Sequence, residues 1–137
     1  MKGIVRITPD KERARSLMEM AQTSLKMIES VDKSAFPSNV VKEYYEVLRE
    51  LLTALLYADG YKTIGEGAHI QLIDHVSAHY SLLTTYDIQL LKDLRFFRNK
   101  IAYEGFFVTG DYVNRIDSPV KEIIKKIQSL LSLRLKE

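Results

Sequence analysis

The chain has no cysteine among its 137 residues. That absence excludes disulfides, thiolate catalysis and cysteine-ligated zinc or iron–sulfur centres. Proline and glycine are scarce, at 3 and 6 residues, so the composition is neither low-complexity nor disordered. Long apolar runs are missing too. The longest are a handful of residues, too short for a membrane-spanning helix. The segment Met1 to Arg6 lacks the apolar stretch and small-residue cleavage site of a signal peptide. An excess of one charge is also lacking: 20 Lys and Arg face 18 Asp and Glu, for a net charge of +2. A protein that grips nucleic acid through its overall charge is far more basic, so any such function must come from a local patch. Together these absences read as an intracellular, cytoplasmic protein with no membrane association.

What is present is a core. Hydrophobic residues make up 46% of the chain, and the length suits one domain. Residues 1–7 read as an extended or irregular lead-in. Thr8, Pro9 and Asp10 then resemble a helix start, with Thr8 as cap and Pro9 in the first turn. Ala14, Leu17, Met18, Ala21, Leu25 and Ile28 recur at steps of three and four, which predicts a helix over 9–30. A second helix is expected over 39–59. Its apolar surface (Val40, Tyr44, Val47, Leu48, Leu51, Leu55, Leu56) is broad enough for a central position, and Gly60 suits a left-handed cap. Tyr61 to Gly67 reads as a loop, whose glycines do not form a phosphate cradle. Helices follow over 68–80, 86–104 and 112–135. Thr84 or Thr85 starts the fourth and Gly105 stops it. Phe106 to Gly110 reads as a connector packed back on the bundle. Pro119 either kinks the last helix or begins a new one. The expected fold class is all-α, an antiparallel bundle of four to five helices with no convincing strand.

Chemistry-bearing residues are few. His75 and His79 share a helix face at metal-binding spacing, but Val76 stands where the metalloprotease pattern needs glutamate. Two solvent-facing histidines are the plainer reading, and neither a metal nor another cofactor is expected. Glu43, Glu46 and Glu50 line one stripe of the second helix beside Lys42 and Arg49, as in a solvated face with ion pairs. The densest polar cluster closes the fourth helix: Arg95, Phe96, Phe97, Arg98, Asn99, Lys100, Ile101, Ala102, Tyr103. Cations near a helix C-terminus are favoured by its dipole. Arg98, however, sits next to the apolar line of Phe97 and Ile101, where a guanidinium needs a carboxylate, a phosphate or a partner chain.

The order of these features resembles the HEPN domain family. The resemblance spans most of the chain. It rests on Ala14-Arg15 in the first helix, the segment Lys42 to Glu50, the glycine-containing loop into Gly67-Ala68-His69, Leu72-Ile73, and Leu94 to Tyr103. It implies an all-α bundle, commonly dimeric, in which many members are metal-independent endoribonucleases. Their motif is an arginine, a polar residue, a short spacer and a histidine, and two copies meet across the dimer. In prokaryotes such domains often act in toxin–antitoxin or defence systems beside a nucleotidyltransferase. Arg98 matches the motif arginine and Asn99 the polar residue, while Tyr103 stands in the place of the histidine. Histidine titrates near ~6.5 and tyrosine near ~10, so the replacement is a poor general base at neutral pH. The position where some members carry a nucleotidylated tyrosine is Gly105.

The resemblance therefore implies degenerate catalytic positions Arg98, Asn99 and Tyr103, with Arg95 and Lys100 as phosphate contacts and Tyr103 as a stacking face. Helical geometry turns Tyr103 about 140° from Arg98, so the two are expected to meet across a two-fold axis or where the helix frays. Two readings stand level. One is a homodimer binding RNA or nucleotide at this motif. The other is an inactive relative that contacts itself or a nucleotidyltransferase partner, with Arg98 as an ion-pair partner of Glu43 or Glu46. A small-molecule-binding helical regulator is a third, supported by the histidine pair and Phe106-Phe107 alone.

Overall fold

The computed structural model describes residues 3–65 and 68–136, and at His69 the backbone alone. The fold is an all-α bundle with five helices and one small sheet: β1 (Gly3–Arg6), α1 (Lys11–Glu29), α2 (Pro37–Asp59), β2 (Tyr61–Ile64), α3 (Ala68–His79), α4 (Thr85–Glu104) and α5 (Gly110–Lys136). Among the described residues, no helix is long and apolar enough to cross a membrane. Gly67 of the expected loop and the His69 side chain lie outside the described residues.

α2 is the central element. Its buried residues point to three sides, and α1, α4 and α5 all pack on it. α1 lies along it through Ala14, Ala21 and Ile28, spaced by seven so that they stack on one face. Pro37 occupies the first turn of α2, which starts two residues earlier than expected because its fixed φ is already helical. α4 begins with a capping box: Asp87 N–H donates to Thr84 Oγ1 at 3.1 Å, and Thr84 N–H donates to Asp87 Oδ2 at 3.0 Å. Pro119 lies inside one helix and starts none. The intrahelical bond it forgoes is the one to the carbonyl of Arg115, on an exposed residue.

Two expectations fail near the N-terminus. The lead-in and the start of the 61–67 loop pair as an antiparallel ribbon, Gly3 opposite Ile64 and Arg6 opposite Tyr61. Each strand is four residues, three half-buried and one exposed, too short to show a period, and its partner is over fifty residues away. The cap of α1 is Asp10, not Thr8: its carboxylate accepts from Arg13 N–H at 3.0 Å. The chain before it is held elsewhere, with Ile7 N–H on Gly60 O and Asp10 N–H on Tyr57 O, both 2.9 Å. Gly60 ends α2 at φ +86°, and a Cβ there would sit 2.9 Å from the Ile7 carbonyl oxygen.

A second polar knot ties α1, α2 and α5. The hydroxyl of buried Tyr44 donates to Asp117. Asp117 also accepts from Lys33 at 3.0 Å and pairs with Lys121 at 3.1 Å, and both lysines reach Glu29, at 3.0 and 3.2 Å. Burial raises the Asp117 and Glu29 carboxyls, but the donated hydrogen bonds outweigh it and both lie below their ordinary values. The same burial and the Asp117 charge push the Tyr44 hydroxyl well up.

Gly60→Ala should lower the unfolding free energy in urea by about 2 kcal/mol or more, from strain plus the close carbonyl. Gly105→Ala, at φ +66° but with open space around it, should cost only about 1 kcal/mol. Equal losses would show that the Ile7 contact is irrelevant. A depressed folded pKa gives stability that is present above about pH 4 and lost as pH falls through the folded values. Asp117→Asn should therefore flatten the acid limb of the stability profile, and an unchanged limb would contradict the knot.

Candidate nucleic-acid interface

α4 leaves the core part-way along. Ile88, Leu90, Leu91 and Leu94 are buried, and no residue from Arg95 to Glu104 is. Phe97 and Ile101, expected in the buried line, are only partly covered. Phe97 instead packs among other rings: tilted against Tyr112 (4.9 Å between centroids), edge-on to Phe96 (5.4 Å) and stacked on Phe106 (6.1 Å). The emerging segment places Arg95, Arg98 and Asn99 on one side of the helix at spacings of three and four, against the polar stripe of α2.

Glu46 is the anion they find there. Its Oε2 accepts from Arg49 Nε at 3.0 Å and pairs with Arg49 Nη2 at 2.9 Å. Its Oε1 lies 3.3 Å from Arg98 Nη2, a charge contact without hydrogen-bond alignment, since Oε1 is buried with no hydrogen-bond partner. Of the two carboxylates expected as partners of Arg98, Glu46 is the one that pairs. One carboxylate thus faces two guanidiniums. A third, Arg95, has no ion pair among the described residues, and its Nε is buried without an acceptor. Tyr45 lies in the same field. Burial pushes its hydroxyl up to about 12, while Arg95, Arg49 and Arg98 pull the other way. Glu50 is buried below them, and burial raises its carboxyl, against Arg49 and with Glu46 and Glu43.

The rest of the motif comes together within one chain. Arg98 Nη1 donates to Asn99 Oδ1 at 3.1 Å and to the Tyr103 hydroxyl at 3.3 Å, and its guanidinium lies 5.7 Å from the Tyr103 ring centroid. The expectation that these two side chains need a second copy or a frayed helix is corrected: α4 is helical to Glu104. Helical side chains lean toward the N-terminus, so the tyrosine ring tilts back a turn and a long arginine closes the angular gap. Gly105 ends the helix at φ +66°, with Phe106 N–H on Lys100 O at 3.2 Å.

Lys100 faces aromatic rings. Its Nζ stands 5.4 Å from the Phe96 centroid and 4.8 Å from that of Phe106. The connector folds back through Phe106, stacked on Phe97, and through buried Val108, whose N–H donates to Ser38 Oγ at 3.0 Å, while Phe107 between them turns outward. Phe107 is 82% exposed, Tyr103 76% and Phe96 55%. Sequence reasoning picked out Arg95, Arg98, Asn99, Lys100 and Tyr103. It also set Arg49 among the ion pairs of the glutamate stripe, at i,i+3 from Glu46, but did not foresee that Arg49 and Arg98 share that one carboxylate.

The histidine pair is separate chemistry. The rings of His75 and His79 stack at 4.1 Å, and His79 Nδ1 lies 2.9 Å from the His75 carbonyl oxygen. His75 is half-buried rather than solvent-facing; burial, then His79, lowers its pKa. Among the described residues, no three His, Asp or Glu side chains gather as a metal site. No family model matches the chain, and no curated protein sequence matches it.

Proposed function

We propose that the chain is a HEPN-like, homodimeric domain that binds RNA or a nucleotide at Arg98, Asn99 and Tyr103, in a toxin–antitoxin or defence-type setting. The observation that carries this reading is the Arg98 guanidinium. It bonds Asn99 and Tyr103 at once, stays partly open to solvent, and has only a shared carboxylate opposite it. A phosphate oxygen can take the vacant acceptor role beside Arg95 and compete with Glu46 for Arg98. Tyr103 offers an exposed ring for a base. A proton-transfer role is weak, because a phenol replaces the family's imidazole, so binding without efficient cleavage is the expected behaviour. The Glu46–Arg98 pair also favours a second reading, in which Arg98 is structural and the domain acts through protein contacts with itself or a nucleotidyltransferase.

Binding of a labelled single-stranded RNA, followed by fluorescence anisotropy across salt, separates the two. Arg98→Ala should weaken binding about ten-fold or more and reduce the salt slope by about one. Glu46→Gln should tighten binding, since it frees two guanidiniums from their carboxylate. If Arg98→Ala lowers only the unfolding free energy and wild type binds no RNA, the structural reading holds. Tyr103→His restores the family residue beside Arg98 and should raise RNA cleavage without added metal; no cleavage by either protein would leave binding as the whole activity.

A further inference from the structure

Of the rings near Lys100, Phe106 stacks on Phe97 and Phe96 meets Phe97 edge-on, but Phe96 and the neighbouring Phe107 keep most of their surface outside the bundle. Burying a phenylalanine is ordinarily worth about 1.5–3 kcal/mol, yet Phe96 and Phe107 are turned mostly to solvent. Scattered exposed apolar residues need no explanation, but a group of them interleaved with cations does. Phe96, Lys100 and Tyr103 follow one another along α4 at steps of four and three, and Phe106 closes on Lys100 from the connector. Lys100 has no ion pair among the described residues and spends its ammonium on two ring faces. The charge is concentrated here as well. Residues 95–107 hold three cations, Arg95, Arg98 and Lys100, against one carboxylate, Glu104, a surplus equal to that of the whole chain.

From this arrangement we infer that Phe96 and Phe107 extend the Arg98 site into a stacking platform for an unpaired strand, so that the ligand is single-stranded RNA rather than a mononucleotide or a duplex. This rests on the RNA-or-nucleotide reading above and narrows it. Exposed rings interleaved with cations are what single strands use: bases stack on the rings while the cations follow the phosphates. The dimensions agree. Phe96 and Tyr103 are seven residues apart, about 10 Å along the helix at ~1.5 Å per residue, room for more than one base at the ~3.4 Å rise of stacked nucleotides. A lone nucleotide reaches one ring and a strand reaches several. A duplex hides its base faces and offers phosphates only.

The test is anisotropy of labelled oligoadenylate on the full chain, alone and annealed to oligouridylate, with AMP as competitor. The single strand should bind best, the duplex much more weakly, and AMP should compete only poorly. Phe96→Ala and Phe107→Ala should each weaken the single strand about ten-fold with the salt slope unchanged, whereas Lys100→Ala should lower that slope. Phe96→Trp and Phe107→Trp should keep binding. Both positions are exposed, so the variants should retain the wild-type thermal unfolding. If the alanine variants bind like wild type while Arg98→Ala loses affinity, the platform falls and the RNA reading stands. Equal binding of duplex and single strand overturns the platform in the same way. If wild type binds no strand, the RNA reading falls and takes the platform with it. If Phe107→Ala converts a dimer to a monomer in light scattering, these rings are a self-association surface and the platform is wrong.

Discussion

The fold depends on the enclosure of α2. Most of its residues, from Ser38 to Ala58, are buried against neighbours on three sides. What is left for polar groups is a narrow stripe, partly roofed by α4. A carboxylate on that stripe cannot be left without partners at low cost, and a guanidinium beside it is in the same position. Glu46, Arg49 and Arg98 answer that constraint by pairing with one another. The cluster is therefore a consequence of packing first. Its chemistry follows from the pairing being unequal.

That inequality is the link between structure and function. Glu46 gives one negative charge to two guanidiniums, and Arg95 stands beside them with a buried donor and no acceptor. α4 leaves the core after Leu94, so Arg95 and Arg98 lie half-buried at the edge of the bundle, with Arg95 Nε covered. Arg98 fixes the Asn99 and Tyr103 side chains while it is held itself. The cluster is thus preassembled within one chain, which under the proposed reading would reduce the ordering cost of binding. Glu46 does the reverse: it occupies Arg49 and Arg98 with an internal anion, which under the proposed reading a phosphate would have to displace.

Much of this was legible in the residues. Apolar spacing gave five helices, because each buries one continuous face, and the capping box at Thr84 and the left-handed caps at Gly60 and Gly105 marked ends through local bonds. Arg98 stood out because a guanidinium sits beside an apolar line, while Asn99 and Tyr103 were singled out by the resemblance to the HEPN motif. What was not legible came from contacts distant in sequence. The β1–β2 ribbon joins two four-residue segments across the first two helices. Asp10 displaces Thr8 as cap because Ile7 and Asp10 are bonded to the end of α2. The meeting of Arg98 with Tyr103 depends on side-chain lean, which a helical wheel omits. Phe106 to Gly110 read as a connector packed back on the bundle, and only the structure separates the anchored Phe106 and Val108 from the outward Phe107.

The central claim, that phosphate is taken up by the arginines over Glu46, is most directly tested by nitrogen-15 spectra of the arginine side chains. Arg95 Nε has no acceptor in the free protein, so a bound phosphate should shift its signal strongly. Titration with oligoadenylate should move Arg95 and Arg98 together, and leave Arg134, paired to Asp59, in place. An unchanged Arg95 and Arg98 at saturating strand, or equal small shifts over all arginines, would contradict the account.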